Sequence, residues 1–141
     1  MSNVLIIVEH SEGAPKPASL AGITFGQHLT AKNGGELHLA VIGSDVGGIA
    51  EAVKGYGAAK VHVVDNACFE NYLAESYTDA ALAAANAAGA TFIAAGTTST
   101  SKDFLPRVAA RWGAAMASDI LEVVDSNQFK RPMWAGNVVA T

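Results

Sequence analysis

Cysteine is nearly absent. Cys68 is the only one in 141 residues, so no internal disulfide can form and a reducing compartment is expected. No Lys, Arg or His lies close to it in sequence to hold a thiolate, so it reads as an inert, partly buried thiol. Basic charge is also scarce. Nine Lys and Arg against 13 Asp and Glu leave a net charge of −4, and no basic stretch could neutralise a run of phosphates, which excludes a nucleic-acid binder. Long apolar runs are missing as well. The longest, "TFIAAG" with its alanine-rich approach, is broken by Asn86, Gly89 and Gly96 well short of a membrane span. The start, "MSNVLIIVEH", has neither a basic n-region nor an Arg/Ser-rich presequence, so a cytoplasmic bacterial protein is expected.

Apolar residues, by contrast, are plentiful, at 50% against 16% charged. That balance and length fit one compact domain with a real core. The runs are short, β-branched and spaced by helical stretches. Val4–Glu9 is apolar on both faces, as in a central parallel strand covered on both sides. Glu36–Gly43, Lys60–Asp65 and Thr91–Gly96 read as further strands, with helices expected over Ala18–Lys32, Val46–Lys54 and Tyr77–Ala88. The alternation predicts an α/β fold of three layers: a mostly parallel sheet with helices on both faces, Rossmann-like or adenine-nucleotide α-hydrolase-like. Asn33-Gly34-Gly35 should end the first helix on a left-handed glycine, and "GYGAAKV" should do the same before the third strand. Pro15-Lys16-Pro17 sets an extended lead into the first helix.

A fourth helix is expected in "SKDFLPRVAARWGAA", with Asp103 as N-cap, Pro106 in the first turn and Gly113 at its end. Phe104, Val108 and Trp112 form its core stripe. Arg107 and Arg111 sit four apart on a polar face near the C-terminal end, and Asp103 is a candidate ion-pair partner for Arg107. Ahead of it, "GTTSTS" (Gly96–Ser101) follows a parallel strand, the place where open α/β sheets bind ligands. Its hydroxyls, a helix N-terminus and Lys102 could hold an anion; alternatively the run is a solvated turn, since no Gly-x-x-x-x-Gly-Lys or Gly-x-Gly-x-x-Gly pattern is present. Ser101, Lys102, Asp103, Arg107 and Arg111 are the candidate contacts, for an anion on the grounds of loop position, or for a partner protein as the resemblance given below implies.

Elsewhere chemistry is sparse. Glu9 and His10 end the first strand, but neighbouring strand residues face opposite ways and would not share a site. His28, His38 and His62 show no ligand spacing, so no metal is expected. No nucleophile–base ordering supports a hydrolase, and no catalytic residue is assigned. After Gly113 two strands are expected, Ile120–Val124 and one beginning at Arg131, around a turn in "SNQFK"; periodicity leaves open whether they pair as a hairpin or lie apart. Trp112 is placed in the core and Trp134 in the last strand. The chain stops at Thr141 inside a strand pattern, which points to truncation, with self-association expected through an exposed strand edge.

Two blocks carry a resemblance. "SKDFLPRVAARWGAAMASDILEV" and "KRPMWAGNVVAT", together with the opening "VLIIVEHSEGAPKPASL", resemble the N-terminal domain of electron-transfer flavoprotein α subunits. The Pro-Arg-Val-Ala-Ala and Ala-Gly-Asn blocks are the specific ones, and the match runs in order from Asn3 to Thr141. Ser101 departs from it, since many members have glycine there. The resemblance implies a scaffold domain at residues 1–141 that packs against a β subunit. FAD would be held by a C-terminal domain absent from this chain, so no FAD ligand is carried over. It further implies electrons passing from dehydrogenases to an acceptor oxidoreductase. The domain itself would be no enzyme, because the flavin carries the redox chemistry. The alternative is a free-standing adenine-nucleotide-binding module of the stress-protein kind.

Overall fold

The computed structural model describes residues 2–141. The chain runs β1 (Asn3–Val8), β2 (His10–Ser11), β3 (Ala14–Pro15), α1 (Pro17–Asn33), β4 (Leu37–Gly43), α2 (Gly47–Ala52), β5 (Lys60–Asp65), α3 (Ala74–Ala88), β6 (Ala90–Ala95), α4 (Ser99–Trp112), β7 (Glu122–Asp125), β8 (Gln128–Met133) and β9 (Val138–Ala140). The main sheet is parallel, in the order β5-β4-β1-β6. This is the expected α/β fold. Alternation along the strands sorts two cores. Val4, Ile6 and Val8 join Leu37, Leu39 and Val41 beneath α1 and α2. Leu5 and Ile7 join Ala40 and Ile42 beneath α3 and α4. Because α3 buries only small residues apart from Thr78 (Ala80, Ala81, Ala84, Ala85 and Ala88), it can lie close on the sheet.

The terminal signals act as the chemistry requires. Pro17 opens α1, and Gly34 closes it with φ 71°. Gly57, with φ 81°, turns the chain into β5. The second helix is shorter than expected and passes into a single tight turn, Lys54–Tyr56.

α4 differs from expectation at its start. Its N-cap is Thr98, not Asp103, so Pro106 lies inside the helix. There the missing N–H leaves the carbonyl of Lys102 without its helical donor. The hydroxyls ahead of Asp103 provide a stronger start, and the proline is carried along. The C-terminal region also departs from expectation. β7, β8 and β9 form a separate antiparallel sheet, β7-β8-β9, and the expected last strand is two strands around a turn. Only Ser126 and Asn127 of "SNQFK" make the first turn. Trp134, Ala135 and Gly136 make the second, all left-handed at φ 55°, 52° and 90°. For Trp134 and Ala135 that conformation costs roughly 1–2 kcal/mol each. Trp134 is therefore at a hairpin tip, not within a strand.

Candidate functional site

Strand order places the topological switch between β1 and β6, because the chain leaves β1 toward β4 and returns to β6 on the other side. At their carboxyl ends lie Glu9 and the run Gly96–Ser101. Gly96 is needed for close approach: a Cβ there would stand 2.2 Å from the carbonyl oxygen of Ala18. Beyond it the α4 N-terminus closes on itself. The Ser101 amide donates to Thr98 Oγ1 at 3.0 Å, and the Thr98 amide donates to Ser101 Oγ at 3.0 Å. Ser101 Oγ in turn donates to the Gly96 carbonyl at 2.6 Å. Ser101→Ala would leave that carbonyl and the Thr98 amide without these bonds, a loss of about 1–2 kcal/mol expected in urea unfolding; an unchanged midpoint would show that the capping box contributes nothing.

Glu9 fills the crevice. Only 7% exposed, its Oε1 accepts from Thr98 Oγ1 at 2.6 Å, and Lys16 Nζ stands 3.6 Å from Oε2. Ser19 Oγ locks the same residue's backbone, accepting from its amide at 2.7 Å and donating to its carbonyl at 3.0 Å. The chain's own carboxylate thus sits at the positive end of α4. An incoming phosphate would meet a buried anion. His10 goes elsewhere, its Nε2 lying 2.9 Å from the Ile42 carbonyl.

The five candidate contacts do not converge. Ser101 is buried in the capping box. Lys102 turns from the crevice to Asp119, 3.3 Å away. Asp103 accepts from Tyr72 Oη at 2.7 Å, so the expected Asp103–Arg107 pair does not form. Burial first, then this bond to Asp103, pushes the Tyr72 hydroxyl well above its ordinary pKa. Arg107 is exposed and has no carboxylate partner among the described residues. Arg111 pairs with Asp79 of α3 across an exposed face, a contact worth about 0–1 kcal/mol.

Two further readings change. Cys68 is exposed, not partly buried. Trp112 is half-buried rather than in the core, because α4 ends beside an open groove of about 610 Å³ along the free edge of β6. Phe25, Phe92, Leu105, Met116 and Phe129 also line it.

The histidines hold a contact that spacing did not reveal. His38 Nδ1 lies 3.0 Å from His62 Nε2, and His38 Nε2 lies 3.2 Å from Glu36 Oε2. The signal was available: both lie in consecutive paired strands, and Ala40, two residues from His38, is the register partner of His62. Among the described residues no group of three His, Cys, Asp or Glu is placed to hold a metal. Partial burial, then the charges of His38 and Lys60, lower the His62 pKa below 6.5. Below 6.5 the unfolded chain therefore binds more protons at this site than the folded one. Stability from His62 is present in full above 6.5 and is lost as pH falls toward the folded pKa. His62→Gln, which can still donate to His38, should flatten the fall in stability between about pH 7 and 5.5; an identical pH slope in both proteins would remove His62 as its source.

The sequence matches the family model of the electron transfer flavoprotein domain over residues 4–141. The chain belongs to this family. Similar proteins include the electron transfer flavoprotein subunit alpha of Pseudomonas aeruginosa, 38% identical over 139 residues, which are 98% of this chain and 43% of that protein. The mitochondrial subunit alpha of Dictyostelium discoideum is 33% identical, covering 99% of this chain and 40% of its own length. Protein FixB of Clostridium saccharobutylicum is 30% identical, covering 98% and 42%. The chain thus spans about two fifths of the length of these relatives. No helix among the described residues is long and apolar enough to cross a membrane.

Proposed function

We propose that this domain is the non-redox scaffold, the N-terminal domain, of an electron-transfer flavoprotein α subunit. In this reading it packs against a β subunit, while FAD held elsewhere in the complex passes electrons from dehydrogenases to an acceptor oxidoreductase in the bacterial cytoplasm. The observation that carries the reading is Glu9. In a nucleotide-type fold the switch-point crevice is the place for a phosphate, and here a buried carboxylate bonded to Thr98 takes it. The residues present do not fit FAD: its pyrophosphate would face that carboxylate, the cation beside it, Lys16, is already paired with Glu9, and Lys102 is held by Asp119. The same point disfavours a free-standing adenine-nucleotide module.

Arg107 and the exposed side of α4 are then partner-facing surface, with Asp103 and Arg111 fixing the helix to Tyr72 and α3. Native mass spectrometry of the protein from its own cells tests the proposal. An α chain bound to a second subunit and FAD is expected. A stable 141-residue chain carrying adenine nucleotide would overturn it.

A further inference from the structure

Asn33 is the only asparagine in the chain that is followed by glycine. With no side chain on Gly34, its amide nitrogen has the least hindered approach to the Asn33 side-chain carbon, through a five-membered ring. The fold fixes both glycines that follow. Gly34 closes α1 in the left-handed region at φ 71°. Gly35 lies so close to the start of the chain that a Cβ would stand 2.0 Å from the Ser2 carbonyl oxygen. A reactive Asn-Gly bond is therefore built into the turn between α1 and β4.

The Asn33 side chain is prepared for loss of its amide. Oδ1 accepts from the Gly35 amide at 2.8 Å, which polarises the carbonyl and favours negative charge on that oxygen. Nδ2 is buried with no hydrogen-bond partner, so no bond is forfeited when it leaves. The restraint lies on the nucleophile. The Gly34 amide donates to the Thr30 carbonyl at 2.9 Å, the bond that caps α1. The electrophile is thus ready in the folded chain, while the nucleophile is held by a helix end, the part of a helix that frays most readily.

We infer that Asn33 is a self-modification site, a deamidating residue gated by opening of the last turn of α1. When the turn opens, the Gly34 nitrogen gives its proton to hydroxide and bonds to Asn33 Cγ. The Cγ–Nδ2 bond breaks, and ammonia leaves with a proton taken from water. Water then opens the cyclic imide at either carbonyl, leaving aspartate or isoaspartate at position 33. One water is consumed and one ammonia released, and no electron is transferred. Either product disturbs the fold. The new carboxylate stands at the C-terminal end of α1, where the helix dipole disfavours an anion. Isoaspartate also lengthens the main chain just before Glu36, whose amide donates to Asn3 Oδ1 at 3.0 Å and whose carbonyl accepts from the Val4 amide at 2.9 Å. The start of the central strand β1 is therefore the part that loosens.

The test is to hold the protein at mildly alkaline pH, in buffer and in urea, and to follow its peptides by mass spectrometry. The Asn33 peptide should gain the mass of an NH-to-O exchange before any other asparagine peptide, and about tenfold faster in urea than in buffer. Ala31→Gly, at an exposed position in the last turn of α1, should raise the rate in buffer about fivefold and leave the rate in urea unchanged. Asn33→Gln should remove the mass gain from that peptide. Deamidation at Asn33 no faster in buffer than at Asn137 would overturn the site. A rate that neither urea nor Ala31→Gly changes would overturn the gate.

Discussion

Phe104→Ala is expected to lose about 3–5 kcal/mol of stability, the usual cost of emptying a fully enclosed aromatic site. Phe104 has no exposed surface and is the largest side chain so enclosed. Its ring meets Tyr77 edge-on, with centroids 5.7 Å apart, and lies in the core formed by Leu5, Ile7 and the alanine face of α3. The alanines of that face have no longer side chain that could swing in to refill the space. The cavity should therefore persist, and the loss should fall at the high end of the range. For a domain with about 5–15 kcal/mol in total, this approaches global unfolding. Urea unfolding should show the midpoint fall with little change in slope. Phe104→Leu keeps most of the volume and should cost less than about 1.5 kcal/mol. A loss under about 1 kcal/mol for the alanine variant would mean that α4 is not packed on the sheet through this residue.

How far the sequence disclosed this architecture depends on the range of the interactions involved. The four parallel strands were legible because Val4–Val8 and its neighbours are apolar on both faces, a pattern set by burial alone. The ends of α1 and the turn into β5 were legible because Gly34 and Gly57 need left-handed backbone that few residues adopt. The start of α4 is not legible locally, because Asp103 and Pro106 taken by themselves look like a helix entrance. Thr98 wins because Ser101 reciprocates its bond and Glu9, 89 residues away in sequence, reinforces its hydroxyl. In the sequence Glu9 is only the neighbour of His10, since nothing local tells which helix end a strand-terminal carboxylate will reach. The contact between His38 and His62 needs the β4–β5 pairing before it can be seen. The residues flanking Trp134 are strand-like and point to a strand there, while the turn that interrupts them needs two non-glycine residues in a conformation their types disfavour.

Gly96→Ala should have the second large effect, about 3 kcal/mol, because the methyl group would meet backbone rather than a movable side chain. Built on the present chain, its Cβ lies 2.2 Å from the Ala18 oxygen and 2.4 Å from the Ala18 carbonyl carbon. Relief requires the first turn of α1 to move away from the end of β6. That turn carries Ser19, whose hydroxyl holds the Glu9 backbone, and Glu9 holds Thr98 at the N-terminus of α4. One methyl group thus strains three elements that converge on the crevice. Gly48→Ala provides the opposite sign. Gly48 lies within α2, and a Cβ there meets nothing within 4 Å. That change should stabilise by about 0.4–1 kcal/mol through the lower entropy of the unfolded chain. Comparing both variants by urea unfolding separates close approach from backbone freedom as the reason each position is glycine. A neutral Gly96→Ala would show that α1 and β6 do not meet as closely as the crevice requires, and the placement of Glu9 against Thr98 would fall with it.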